Sequence, residues 1–151
     1  GQTAYTPAVS LIDALNETTR EILRQDPKQI LAEADLMSRC TRKALLELGF
    51  SLLSSSPSSA VTAAFPPEGI SATELVQKLE REFGIRIAGG QSELKGKIIR
   101  IAHLGHLDLL DVFSVLSAIE LCLLMMGTEI EAGSGLRAAL LEAANRIDVS
   151  K

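Results

Sequence analysis

Arg100 is the residue of this chain whose type and setting best suit it to chemistry. It lies in Lys97-Ile98-Ile99-Arg100-Ile101-Ala102-His103, a run that reads as a strand. Alternate strand residues face opposite ways, so Arg100 is expected to share a face with Ile98 and Ala102. An arginine among apolar neighbours either sits at a rim or meets an anion. Its planar fork suits a carboxylate or a phosphate. His103 and His106 follow, three apart across Gly105. They read as a metal pair or as a hydrogen-bonded turn. No third ligand candidate stands near them, which favours the turn. Gly89, Gly90 and Gly105 are expected to take backbone shapes closed to other residues.

Beyond this stretch the sequence holds no self-contained active site. It has no HExxH, no CxxC, no Gly-x-Ser-x-Gly elbow and no phosphate loop. No metal site is expected. The net charge is −4, and no basic run is interleaved with aromatics, which argues against nucleic acid. The two cysteines, Cys40 and Cys122, are expected to be free and buried, as in a reducing, cytoplasmic compartment, rather than disulfide-bonded. The first residues have neither a basic start nor an apolar core, so they do not read as a signal peptide. With no initiating Met, the expectation is that either something was removed from the start or the chain is an excised segment.

The elements that must position these residues follow from periodicity. Residues 8 to 25 read as a helix, with Leu11, Ile12, Leu15, Ile22 and Leu23 at helical spacing. Asp26-Pro27 interrupts, and a second helix runs to Leu48 with Gly49 as its cap. Its stripe is Ile30, Ala34, Met37, Leu45 and Leu48. Phe50–Ser55 and Ala60–Phe65 read as an antiparallel pair of strands. Ser71 and Glu74 form a capping box for a helix that buries Leu75, Val76, Leu79 and Phe83. Ile85–Ala88 and Lys97–His103 are further strands. Asp108 caps a long apolar helix, Leu109–Met126, closed by Gly127. That helix carries Asp111 and Glu120 and is shorter than the ~20 residues of a membrane span, so it reads as a core helix. A last helix presents Leu136, Leu140, Leu141 and Ala144 on one side. The fold class is α+β: a small, mostly antiparallel sheet with helices packed on one face.

The run from Gly89-Gly90 through Leu94-Lys95-Gly96-Lys97-Ile98-Ile99-Arg100-Ile101-Ala102-His103-Leu104-Gly105 resembles the small domain of class V aminotransferases. These are pyridoxal-phosphate enzymes of the serine/alanine–glyoxylate type. Their pattern is two glycines, a spacer, Gly-Lys, two apolar residues and Arg-Ile-Gly-x-x-Gly; Ala102 departs from it. Asp111-Val112, opening the long helix, fits the same pattern. Thr3-Ala4-Tyr5-Thr6-Pro7-Ala8-Val9-Ser10, with Leu15 and Glu21 behind it, resembles the family segment that leads into the interdomain helix. The resemblance runs from Thr3 to Met126.

The resemblance implies that residues 1–26 are an interdomain segment and helix, that 27–151 are the C-terminal small domain, and that the large catalytic domain lies outside this chain. It gives Arg100 the role of binding the substrate α-carboxylate. Tyr5 and Thr6 resemble a segment that approaches the cofactor phosphate of the neighbouring subunit; the residues alone equally suit a helix-entry turn. The implied enzyme is a homodimer that moves an amino group from serine or alanine to glyoxylate or a similar oxo acid. None of Lys28, Lys43, Lys78, Lys95, Lys97 and Lys151 matches the family's Schiff-base position, so the chain alone is expected to be inactive. Some cyanobacterial proteins of this kind carry a soluble-hydrogenase label. Two separated cysteines offer no ligand set for nickel or iron–sulfur centres. The competing reading is a non-catalytic α+β module that binds a small carboxylate or a protein partner.

Overall fold

The computed structural model describes residue 5 and residues 7–145. The chain divides into two compact units, Gly1–Ala32 and Glu33–Lys151.

In the first unit, helix α1 spans Val9–Arg24. Ion pairs one turn apart, Glu17–Arg20 and Glu21–Arg24, line it. Its apolar residues have the spacing of a buried stripe, yet Leu11, Ile12, Leu15, Ile22 and Leu23 are all exposed. Helix α2, Pro27–Glu47, begins behind Asp26, whose carboxylate accepts from the Lys28 backbone N–H at 2.9 Å. Pro27 stands where a missing N–H costs nothing.

The second unit holds the sheet. Its strands are β1 (Ser51–Leu52), β2 (Val61–Phe65), β3 (Ala88–Gly89) and β4 (Ile99–Ala102). Their order is β1-β2-β4-β3, and every neighbouring pair is antiparallel. Helices α3 (Ala72–Phe83), α4 (Leu109–Met125) and α5 (Ser134–Ala144) complete the unit. Thr62, Ala64, Ile99 and Ile101 form the buried face of the sheet. Ala64, Ile99 and Ile101 pack in one cluster with Leu45, Leu48, Leu75, Leu79, Ile119 and Leu123 from the helices. A second cluster joins Leu36, Met37 and Cys40 to Val112, Leu116 and Ala139. The α+β class and the one-sided helix layer match the expectation from sequence. No helix among the described residues is long and apolar enough to cross a membrane, and α4 buries Leu116, Ile119 and Leu123 in the core.

Helix ends obey local chemistry. Gly49, at φ +83°, lets the chain reverse after α2. The Phe50 N–H then reaches the Leu45 carbonyl and the Gly49 N–H reaches Leu46, both orphan acceptors of the last turn. Asp108 accepts from the backbone of Leu110 and Asp111, and Asp111 returns the bond to Asp108 N–H. Ser71 accepts from the Glu74 N–H, one half of the expected box.

Several expectations need correction. The paired strand is Ala88–Gly89, not Ile85–Ala88, because β4 offers Arg100 and Ile99 as partners to those two residues alone. Ile85 and Ile87 pack against the core instead. Only Ser51 and Leu52 of the first expected strand are in β1, since Phe50 is spent closing α2. Phe83 is 38% exposed, so it is only partly covered rather than buried. Helix α5 turns a different face inward: Ser134, Gly135 and Ala139 are buried, while Leu140 and Leu141 are exposed. The reason is steric. A Cβ on Gly135 would lie 2.7 Å from the Leu48 side chain, so only small residues fit that approach.

Candidate functional site

Arg100 stands at the centre of the sheet face opposite the helices. Its direct neighbours across the ladders are Ala63 on β2 and Ala88 on β3. Directly paired residues project on one face, so two methyl groups flank the arginine and leave room above it. The same face carries Val61, which is exposed, and Phe65, which is half-buried. Ala102 is exposed beside Arg100, as expected, whereas Ile98 is buried and lies outside the strand.

The guanidinium is held on one side only. Arg100 Nε donates to the Gly89 carbonyl at 2.8 Å. No carboxylate pairs with Arg100 among the described residues. The two terminal nitrogens thus keep a fork of donors for an outside acceptor. A half-buried cation with no carboxylate partner among the described residues has donors with which to meet an outside anion.

The loop beside Arg100 depends on Gly90. A side chain there would collide with the backbone carbonyl of Leu94, and the Gly90 N–H bonds to the Ile98 carbonyl at 3.1 Å. Gly105 has φ +113°, closed to most side chains. Gly89 has neither constraint: its φ is ordinary and open space lies where a Cβ would go. The expectation of special backbone shape therefore holds for Gly105 and fails for Gly89 and Gly90; at Gly90 it is the close approach of the Leu94 carbonyl that excludes a side chain.

His103 is buried at the end of β4. Its Nε2 meets the Thr62 hydroxyl at 2.9 Å, and its backbone N–H bonds to the Ala60 carbonyl at 2.9 Å. Burial, helped by the nearby Arg42 charge, lowers its pKa to about 4, so it is neutral near pH 7. His106 is exposed, and the pair does not come together as a site. Among the described residues no three His, Cys, Asp or Glu side chains gather as a metal site would require. Tyr5 is exposed; Thr3 and Thr6 lie outside the described residues. Cys40 and Cys122 are free and buried.

Sequence reasoning missed two groups. Glu120, buried within α4, accepts from the backbone N–H groups of Gly135 and Leu136 at 3.3 and 3.1 Å, and so caps α5. Its position in an apolar helix was the available signal. Arg39, Arg42 and Lys43 line one cleft, and their spacing of three and four along α2 could have shown it.

No protein-family model matches the chain. A search of curated proteins finds an uncharacterized aminotransferase of Methanocaldococcus jannaschii, 34% identical over 132 residues. That match takes 86% of this chain and 34% of the relative. A serine–glyoxylate aminotransferase of Methylorubrum extorquens is 28% identical over 142 residues, 92% of this chain and 35% of the relative. Its homologues are aminotransferases. Two cyanobacterial relatives are instead named soluble hydrogenase subunits. The solved pyridoxamine–pyruvate aminotransferase of Mesorhizobium loti superposes with a TM-score of 0.87 at 26% identity. It covers all of this chain, and the match takes 38% of the aminotransferase. The chain thus spans about a third of the length of the curated aminotransferases it matches.

Proposed function

We propose that this chain is the C-terminal small domain of a pyridoxal-phosphate-dependent aminotransferase, and that Arg100 binds the α-carboxylate of its amino-acid and oxo-acid substrates. The observation that carries the proposal is the setting of Arg100. It sits between Ala63 and Ala88 on the open sheet face, anchored through Nε to Gly89, with no carboxylate partner among the described residues. The homologues supply the reaction class: serine– and aspartate–glyoxylate aminotransferases are among them. Serine or alanine as donor and glyoxylate or a similar oxo acid as acceptor fit that class. Substrate carboxylates are planar acceptors that a guanidinium fork meets with two parallel bonds. Such a clamp fixes the torsion about the Cα–carboxylate bond and presents the Cα–H in one orientation, a positioning effect.

Pyridoxal phosphate, when bound, supplies the electron sink for this chemistry. On this reading none of the described lysines holds it covalently. Lys28, Lys43, Lys95 and Lys97 are exposed, and Lys78 is only half-buried on α3. A covalent lysine is activated by desolvation or by a neighbouring cation in an enclosed site. We assign that lysine to the part of the relatives' length that this chain does not span. Tyr5 and Thr6 belong, on this reading, to the segment that approaches the cofactor phosphate across a homodimer. The enzyme would act in the cytoplasm.

The test is expression of the longer natural polypeptide with pyridoxal phosphate. The expected results are the visible absorption band of lysine-bound cofactor and amino transfer from serine or alanine to glyoxylate. Arg100→Ala is expected to keep that band and lose most turnover. Absence of the band in the longer protein would sink the aminotransferase reading. Unchanged turnover in Arg100→Ala would sink the role of the arginine alone.

A further inference from the structure

We propose a second anion site, for inorganic phosphate or a phosphate monoester, in the cleft between α2, the β1–β2 loop and α5. It is independent of the aminotransferase reading and uses none of the residues around Arg100. The cleft encloses about 730 Å³. Arg42 and Lys43 line it from α2, and Ser54, Ser55 and Ser56 from the loop.

Charge accounting defines the ligand. Arg39 lies in the same cleft but is matched twice, by Asp35 at 3.3 Å and by Glu142 at 3.2 Å. Arg42 and Lys43 have no hydrogen bond or ion pair among the described residues. Three cations against the carboxylates of Asp35 and Glu142 leave the cleft one positive charge over, carried by the two unpaired side chains Arg42 and Lys43, and a phosphate group is an anion those donors can take.

Arg42 is held in place rather than waving in water. It is half-buried, and its Nη1 is shielded from solvent with no partner. A guanidinium fixed in this way loses little freedom on binding a ligand at its remaining donors. The serine loop is arranged to donate as well. Ser54 Oγ accepts from the Ser56 backbone N–H at 3.1 Å, which leaves the Ser54 hydroxyl proton free. Hydroxyl and guanidinium donors together are the usual company of a phosphate group. The Arg42 charge also reaches His103, whose pKa it helps to depress, so an anion on Arg42 would be felt at that ring.

The test is titration of the full chain with sodium phosphate at fixed ionic strength, followed by calorimetry and by the His103 ring signals. Glycerol 3-phosphate and acetate serve as the two comparison ligands. The expected result is saturable phosphate binding, matched or exceeded by glycerol 3-phosphate, absent for acetate, and accompanied by a rise in the His103 pKa. Lys43→Gln and Arg42→Gln should each weaken binding about fivefold, the upper end for a solvent-exposed charge pair. Lys43 is exposed, so that variant tests the site without disturbing the fold. No saturation by about 10 mM phosphate, well past millimolar affinity, would overturn the proposal. So would undiminished binding in Lys43→Gln.

Discussion

Arg100 donates its Nε–H to the carbonyl of Gly89 at 2.8 Å, across the β3–β4 ladder. One bond thus sets the angle at which the rest of the guanidinium leaves the sheet. Lysine cannot reproduce it, because its ammonium lacks both the inner nitrogen and the fork. In the polypeptide that carries the cofactor, Arg100→Lys keeps the charge but loses the fork, and is expected to raise KM for the amino donor and lower kcat/KM by a factor equivalent to about 1.5–3 kcal/mol, the range for a hydrogen bond to a charged group. Cofactor absorbance should not change. Steady-state kinetics beside a spectrum separates the two; a variant with native KM would show that the fork is not used.

The two glycines of the Gly89-Gly90 pair should behave differently. A methyl group on Gly89 enters open space at an ordinary backbone conformation. A methyl group on Gly90 meets the Leu94 carbonyl, which is backbone and cannot swing aside. Gly89→Ala is therefore expected to stay within about 0.5 kcal/mol of the parent, and Gly90→Ala to cost about 1–3 kcal/mol or more. Urea unfolding of both variants checks this. Equal stabilities would mean that the loop relaxes freely.

Much of this was legible in the sequence, for identifiable reasons. Gly49, Gly84, Asp108 and Ser71 mark helix ends because caps are local chemistry, and all four act where their types suggest. Arg100 stood out because a charge in an apolar strand is rare. The β3 strand was placed too early because pairing is decided by the partner: β4 sets the register at Ala88 and Gly89. Leucine spacing in α5 marks one side of the helix but does not say which side is buried. Packing against Leu48 and Glu120, both distant in sequence, selects the side with Gly135 and Ala139. Amphipathic spacing found α1 but said nothing about what its apolar side meets. The Arg39, Arg42 and Lys43 cleft needs the β1–β2 loop opposite α2, which no window of sequence contains.

Glu120 and α5 offer a test of capping across elements. The carboxylate is buried and accepts two backbone N–H groups that open α5. Glu120→Gln keeps one side-chain oxygen and should cost about 1 kcal/mol. Glu120→Ala leaves both N–H groups without an acceptor and adds a cavity, so about 2–4 kcal/mol is expected. Hydrogen exchange at Gly135 and Leu136 should quicken more in the alanine variant. Unaltered exchange in that variant would mean water replaces the cap without loss.

His103 gives the unit a predictable acid sensitivity. Its folded pKa, about 4, lies below the ordinary 6.5 because burial first, and the Arg42 charge second, disfavour the imidazolium. The unfolded chain therefore binds the proton more readily than the folded chain between those values. Stability contributed by the neutral ring is fully present above about pH 6.5 and falls as the pH drops toward 4. A gap of this size corresponds to about 3 kcal/mol. His103→Asn has no proton to gain, so its stability should start lower and change less across that window. It keeps a group able to meet the Thr62 hydroxyl, which His103 reaches at 2.9 Å, so the fold should survive. Denaturant midpoints at several pH values for both proteins make the comparison. Parallel curves would place the acid sensitivity elsewhere in the chain.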